Sequence, residues 1–264
     1  MSDPGLPADQ VNACAEIVRR GDPDRFLIAM AASPAARARM FPILAMNVEV
    51  SRAPFVTAEP VIAQMRLQWW HDMVEEAITG KPPRAHEVAA PLARVISDAG
   101  LPQESLDRLI SARLWDIDGK SFENTEDFRA HIEATGGELL WLCAAALGAP
   151  DSAAGVARDA GYAMGLANWF MAIPAYEARG ARPLADGRPD AVRLLAEEGL
   201  ARIASARKVR SIEPAFPAFR LATLARPVLE QVRREPHSVA EGRVGLSDFA
   251  KKARILYRSV TGGW

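Results

Sequence analysis

The chain has only two cysteines, Cys14 and Cys143, in 264 residues. Each lies in a helix-like segment without a CxxC partner, so neither a disulfide framework nor a zinc site is expected. Long apolar runs are also missing, because the longest, LLWLCAAAL, has about half the ~20 residues that cross a bilayer. The N-terminal MSDPGLPADQ lacks the basic and apolar regions of a secretory signal. These absences predict a cytoplasmic protein, with membrane association left open.

An excess of charge of one sign is lacking too. The chain carries 32 Lys and Arg against 33 Asp and Glu. It therefore has neither a global field nor the basic stripe that would attract nucleic acid, and no nucleic-acid partner is expected. The four histidines are scattered, and no P-loop, GxSxG or GxGxxG motif occurs. Residue spacing alone thus predicts no reaction, no metal site and no cofactor.

Helical periodicity fills most of the chain. Apolar residues recur at spacings of three and four, and no convincing strand alternation interrupts them. Ser33 and Pro34 form an N-cap and first-turn signal, while Gly161 and Gly165 suit a close helix contact. Loops are short and contain no linker, which predicts a single all-α bundle over residues 1–264. The predicted helices cover about 8–20, 34–52, 61–79, 87–99, 102–116, 125–147, 152–176, 189–209, 214–234 and 246–260.

The 61–79 helix contains the stretch RLQWWHDM, with two adjacent tryptophans. Residues at helical spacing define its expected core face: Ile62, Met65, Trp69 and Met73. Arg66 and Trp70 are four residues apart and therefore neighbours on the helix surface. In one interpretation Trp69 anchors the core and Arg66 stacks on Trp70, gaining roughly 0.5–2 kcal/mol. In the other, Arg66, Gln68 and Trp70 line a cavity.

Other polar side chains are candidates for a site. Asn47 and Glu49 lie near the end of the 34–52 helix, where an exposed polar turn is the simplest interpretation. Asn168 lies in an apolar stretch and needs a partner if it is buried. Arg179 and Arg182 follow in a loop, either solvated or placed to hold a carboxylate or phosphate.

Four blocks of the sequence resemble, in order and spacing, the squalene/phytoene synthase family. They are DPDRFLIAMAASPAARARMFPILAMNVEV, EPVIAQMRLQWWHDMV, FRAHIEATGGELLWLCAAALG and GYAMGLANWFMAIPAYEARGARPL. The resemblance covers about residues 22–185, and the last third fits loosely. It implies the all-α isoprenoid synthase bundle. Active members carry two aspartate-rich motifs on facing helices, which hold Mg²⁺ against the diphosphates of prenyl substrates.

Both motif positions depart from the family pattern. In the first stretch Ser51, Arg52 and Phe55 stand where aspartates are expected. In the second, Met171 and Ala172 replace the expected Arg-Asp pair, and the later aspartate position falls near Tyr176. Glu49 and Glu177 are single carboxylates there and cannot replace two clusters. The chain therefore resembles the degenerate branch of the family, which is similar to the mitochondrial assembly factor for respiratory complex I.

The resemblance favours a pseudoenzyme that binds a partner protein or an apolar, isoprenoid ligand, and it implies a role in the assembly of a respiratory complex. The alternative is a Mg²⁺-dependent prenyl transferase that joins two prenyl diphosphates. That alternative needs ligands from elsewhere, such as Asp116 with Asp118 or Glu75 with Glu76. Side chains at i and i+2 point to different sides of a helix, so the aspartates make a poor metal pair and a turn role is favoured.

Two placements follow from this interpretation. A former substrate cavity is expected between the 34–52, 61–79 and 152–176 helices, lined by Asn47, Arg66, Trp70 and Asn168. The last helix, SDFAKKARILYRSV, is amphipathic and basic. Such a helix either lies on an anionic membrane or presents a solvated face. Its basic residues are Lys251, Lys252, Arg254 and Arg258.

Overall fold

The computed structural model describes residues 6–57, 59–119, 121–209 and 212–264, and within these ranges the protein is all-α, with no strand. Residues 1–5, part of the N-terminal stretch considered above for a secretory signal, lie outside the described residues. The α-helices are α1 (Ala8–Gly21), α2 (Pro23–Met30), α3 (Pro34–Arg52), α4 (Pro60–Ile78), α5 (Ala89–Ala99), α6 (Gln103–Ser111), α7 (Leu114–Asp118), α8 (Thr125–Ile132), α9 (Glu138–Ala146), α10 (Ala154–Glu177), α11 (Pro189–Ala206), α12 (Phe216–Phe219), α13 (Ala225–Arg234), α14 (His237–Ala240) and α15 (Asp248–Thr261).

Local signals explain where several helices begin and end. The Ser33 hydroxyl accepts a hydrogen bond from the Ala36 amide at 3.3 Å, and the Asn124 side chain accepts one from Asp127 at 2.9 Å. Each bond satisfies an amide that has no partner within the first helical turn. Helix α5 ends at Gly100, whose φ of 59° is the left-handed conformation that glycine adopts without strain.

The predicted helix ranges agree with most of the fold and differ in three places. Helix α2 lies outside the predicted helix ranges; the Asp22 side chain accepts a hydrogen bond from the Arg25 amide at 3.0 Å and caps it. The predicted 102–116 helix is interrupted between α6 and α7. The predicted 214–234 helix is divided into α12, a short 3₁₀ turn and α13, followed by the unpredicted α14.

Helices α3, α9 and α10 form the centre of the bundle. All three bury side chains around their circumference rather than along one stripe, as core helices do. Helix α10 packs against α9, α11 and α13, and α3 packs against α1 and α9. Asn47 and Asn168 therefore lie on central helices, where Asn47 is buried and Asn168 is half-buried. No helix in the described ranges combines the length and apolar character needed to span a membrane.

A π turn at Glu133–Gly137 joins α8 to α9 and crosses α10 at a contact made of glycines. A Cβ atom on Gly136 would lie 2.5 Å from the carbonyl oxygen of Gly161 and 2.7 Å from the Cα atom of Gly165. Both neighbours are backbone atoms, so only glycine fits at this crossing. The predicted close contact at Gly161 and Gly165 is confirmed.

We expect Gly136→Ala to lower the free energy of unfolding by about 1–3 kcal/mol, because the added methyl overpacks a backbone contact. The melting temperature should fall by about 2–4 °C for each kcal/mol lost. The matched control is Gly155→Ala in α10, where a Cβ atom meets nothing within 4 Å. It should be neutral or stabilise by up to about 1 kcal/mol. Equal melting temperatures for the two variants in calorimetry would contradict the close-contact interpretation.

Candidate functional site

A cavity of about 250 Å³ lies between α3, α10, α2 and the π turn. Asn47 of α3 and Asn168 of α10 both line it, so the structure brings these two predicted residues together. Arg66 and Trp70 do not line it, contrary to the expectation that all four would share one cavity. The reason is that α4 packs mainly against α5 and α6 and only slightly against α3.

The polar groups at the cavity are bonded to one another. The Arg113 guanidinium lies 3.4 Å from the Asp116 carboxylate and donates to the Asn47 side-chain oxygen at 3.3 Å. The Tyr176 hydroxyl donates to Asp116 at 2.8 Å. The Asp116 side chain is 0% exposed, and burial raises its pKa although Arg113 and Tyr176 oppose the shift. Burial likewise raises the pKa of the Tyr176 phenol.

Three positions that the family resemblance assigns to metal-binding aspartates border this same cavity: Ser51, Ala172 and Tyr176. None carries a carboxylate. The Ser51 hydroxyl donates to the Val48 carbonyl oxygen at 3.0 Å, within its own helix. Because Mg²⁺ prefers carboxylate oxygens, the side chains at these positions do not fit a Mg²⁺ site.

The two segments in which the family resemblance places the aspartate-rich motifs, around Phe55 and around Tyr176, contact each other directly. The rings of Phe55 and Tyr176 lie 6.1 Å apart between their centroids. The Arg179 guanidinium lies 4.2 Å from the Phe55 ring centroid and donates to the Pro54 carbonyl oxygen at 3.0 Å. Arg179 therefore bridges the two segments, which is a role that spacing alone did not predict. Arg182 is exposed farther along the loop.

An aromatic cluster closes one side of the cavity. Its rings belong to Trp115, Phe122, Phe128, His131, Trp169 and Tyr176. Burial, together with the positive charge of Arg113, lowers the pKa of His131 to about 3. His131 is therefore neutral at physiological pH and packs as an aromatic ring. Sequence reasoning missed Arg113 and His131, because their partners are distant in the chain.

A second, open groove of about 350 Å³ lies beside α4. It is lined by Glu49, Ile62, Met65, Arg66, Trp69, Trp70 and His86. The predicted core face of α4 was right at Met73, which is buried, and wrong at Ile62 and Met65, which are exposed. Of the two tryptophans, Trp70 rather than Trp69 is the more deeply buried. The observed buried positions are Ala63, Leu67, Trp70, Met73 and Val74. Adjacent helix positions differ by about 100°, so Trp69 and Trp70 cannot both face the core.

The predicted stacking of Arg66 on Trp70 was also wrong. Arg66 is exposed at the groove, and the guanidinium that faces the pair belongs to Arg84, 5.5 Å from the Trp69 ring centroid. The two indoles meet edge to face at 4.9 Å, which is a favourable aromatic geometry. Gln68 is exposed and donates to Asp72 at 2.8 Å, so it does not line the groove.

The acidic pairs considered as replacement metal ligands are not arranged for that role. Asp116 is buried in the arginine and tyrosine network, whereas Asp118 is exposed. Glu75 is exposed, and Glu76 pairs with Arg84 at 2.7 Å. Among the residues that the structure describes, no group of three or more His, Cys, Asp or Glu side chains is placed to hold a metal ion.

Comparisons with known proteins identify relatives of two kinds. The family model described as squalene/phytoene synthase matches residues 18–186. The chain is 28% identical over 179 residues to the mouse (Mus musculus) protein named NADH dehydrogenase (ubiquinone) complex I, assembly factor 6, covering 67% of this chain and 53% of that protein. The chain thus spans about half the length of this curated relative.

Solved structures match nearly the whole chain in fold. A dehydrosqualene synthase in complex with a ligand gives a TM-score of 0.71 at 15% identity, covering 96% of each chain. The squalene synthase HpnC from Alicyclobacillus acidocaldarius gives 0.63 at 17% identity, covering 97% of each. At such low identity these structures establish the fold alone, which is the helical terpenoid synthase fold expected from the sequence.

Proposed function

This chain belongs to the squalene/phytoene synthase family, and we propose that it is a non-catalytic member that takes part in the assembly of respiratory complex I. The observation that carries this proposal is the cavity, where Ser51, Ala172 and Tyr176 occupy positions at which the family resemblance implies aspartates. Prenyl transfer requires divalent metal at the leaving diphosphate, and the metal requires carboxylates. We also propose that the whole chain forms one domain.

The internal network supports the loss of catalysis. The carboxylate that lines the cavity is Asp22, which pairs with Arg25. Asp116 lies behind the lining, and its oxygens bond to Arg113 and Tyr176. Arg113 thus supplies, from within the protein, the positive charge that balances the Asp116 carboxylate. Direct contact of Phe55 with Tyr176 further closes the gap between the two former motif segments.

The size of the cavity also supports the proposal. Its volume is about 250 Å³, whereas pockets that hold one drug-sized ligand occupy ~300–1,000 Å³. Two prenyl diphosphates together need more room than one such ligand. The cavity by itself is therefore small for two prenyl diphosphates bound together.

The groove beside α4 is our proposed contact with a partner protein. Ile62 and Met65 expose large apolar side chains there, beside the half-buried ring of Trp69. Exposed apolar surface with a polar rim is typical of protein interaction sites, and Glu49 and Arg66 provide polar groups at its edge. The mouse relative's name supplies the class of partner, which is a subunit or assembly intermediate of complex I.

The catalytic alternative is tested with the purified chain, Mg²⁺ and farnesyl or geranylgeranyl diphosphate. We expect no diphosphate release and no condensed product, with a dehydrosqualene synthase as the positive control in the same assay. Calorimetry should show no Mg²⁺-dependent binding of either substrate. Formation of a condensed product would overturn the non-catalytic assignment and would direct attention to Glu49, Asp116 and Glu177 as ligands.

The assembly role is tested by deleting the gene in the source organism and measuring assembled complex I on native gels. We expect the amount of complex I to fall and the wild-type gene to restore it. Met65→Glu should restore little, because a charge enters the apolar groove. Leu194→Glu on α11 is the matched control, since Leu194 is 65% exposed against 67% for Met65. An unchanged level of complex I after deletion would overturn the role, and equal rescue by both variants would exclude the groove.

A further inference from the structure

Helix α15 exposes an apolar stripe on the outside of the protein. The stripe consists of Phe249, Leu256 and Val260, which are 82%, 65% and 78% exposed. Spacings of seven and four residues place these side chains on one side of the helix, together with Ala253. Tyr257 is 62% exposed and flanks the stripe. Large apolar side chains in such an arrangement are costly to leave in water.

The helix is held to the body through its opposite side. Ile255 is buried, and the Lys251 ammonium lies 2.7 Å from the Asp24 carboxylate of α2. The chain then ends with Trp264 packed against Phe219, at 5.1 Å between ring centroids. These contacts fix the orientation of α15, so the stripe points away from the protein.

Four arginines lie close together where α15 meets the body of the protein. They are Arg207 and Arg226 of the body and Arg254 and Arg258 of α15. Arg207 has its pKa lowered by burial and by the positive charges of Arg258, Arg226 and Arg254. Arg226 pairs with Glu230 at 2.7 Å, which leaves the cluster with an excess of positive charge. Mutual repulsion of this kind is relieved when anions approach. An anionic surface near α15 would lower this repulsion.

Lys252 adds positive charge beside the stripe itself, where it is exposed. Arg254 and Arg258 belong to α15 itself and lie on the side of the helix opposite the stripe, about one helix diameter, ~10 Å, away from it. This distance is similar to the Debye length of ~8 Å at physiological ionic strength. Negative charges at the level of the stripe therefore still feel part of the field of the cluster.

We propose that α15 binds the surface of a membrane that contains anionic lipids, with its apolar stripe at the boundary between headgroups and acyl chains. An apolar face combined with positive charge is the signature of a helix that lies in the membrane interface. Anionic lipids suit this helix, because each basic residue near a negatively charged membrane surface is attracted to that surface. This binding is independent of the groove beside α4.

The test is sedimentation of the full chain with vesicles of phosphatidylcholine alone or with 30% phosphatidylglycerol. We expect binding to the anionic vesicles that weakens as salt is raised. Phe249→Glu/Leu256→Glu should reduce this binding at least ten-fold, because two apolar anchors are lost. Lys252→Glu should reduce it several-fold, and Leu194→Glu is the control. All substituted side chains are exposed, so melting temperatures should not change.

Three results would overturn the proposal. The wild-type chain would fail to bind anionic vesicles, or the double variant would bind them as well as the wild type. In the third, light scattering would show a dimer without vesicles that dissociates in the double variant, which would assign the stripe to a second copy of the chain. Equal binding to neutral and anionic vesicles would contradict the electrostatic part of the proposal.

Discussion

An Arg113→Met variant is expected to be about 3–5 kcal/mol less stable than the wild type at pH 7.5. Arg113 lies against a carboxylate with no solvent exposure, and its side chain is itself only 12% exposed. Methionine retains most of the apolar stem but removes the charge. The substitution leaves Asp116 buried without its countercharge and also removes a hydrogen bond to Asn47.

The pH dependence of the loss identifies its cause. Burial already raises the pKa of Asp116 above the value of about 3.9 in an unfolded chain, and removal of Arg113 raises it further. A group with a raised folded-state pKa contributes its stability in full below the unfolded pKa and loses it as the pH rises through the folded pKa. The variant should therefore be closest to the wild type at the lowest pH. It should fall behind by up to about 1.4 kcal/mol for each pH unit between the folded-state pKa of Asp116 in the wild type and the higher one in the variant.

Urea unfolding at pH 4.5, 6 and 7.5 measures this difference. The control is Arg113→Met/Asp116→Asn, in which no buried charge remains, and its stability relative to wild type should depend less on pH. A deficit of Arg113→Met that is the same at all three pH values would show that packing, rather than an unpaired carboxylate, causes the loss.

Local sequence signals were enough to predict most helices but could not reveal the network at the cavity. Helix α3 begins at a serine cap followed by proline, and this signal is complete within four residues. Asp116, in contrast, bonds to Tyr176, which is 60 residues away. Its spacing from Asp118 correctly argued against a metal pair, but no local pattern identifies a partner on another helix.

The family resemblance added what local patterns could not. It directed attention to Ser51, Ala172 and Tyr176, and the structure places all three at one cavity. The expectation that Arg66 and Trp70 line the same cavity as Asn47 and Asn168 was wrong for a different reason. Helix α4 is apolar on two adjacent faces, and the choice between them depends on which neighbours cover the helix, which its own sequence does not contain.

The tryptophan pair provides a direct test of this division of α4 into two faces. We expect Trp70→Ala to lower the free energy of unfolding by about 3–5 kcal/mol, since a buried indole leaves a large cavity. Trp70 is only 4% exposed and lies among the buried residues of the helix. Calorimetry or urea unfolding should show a correspondingly large fall in stability.

Trp69→Ala is the matched variant, one residue away with the same change in volume. Trp69 is partly exposed, and it contributes an aromatic contact and a cation–π contact with Arg84. Such contacts are worth roughly 0.5–1.5 kcal/mol each, so the loss of stability should be smaller than that for Trp70→Ala. If the groove binds a partner, Trp69→Ala should still impair rescue of complex I assembly despite its milder effect on folding. Equal losses of stability for the two variants would mean that both indoles pack in the core. Trp69 would then not be available as a binding surface in the groove.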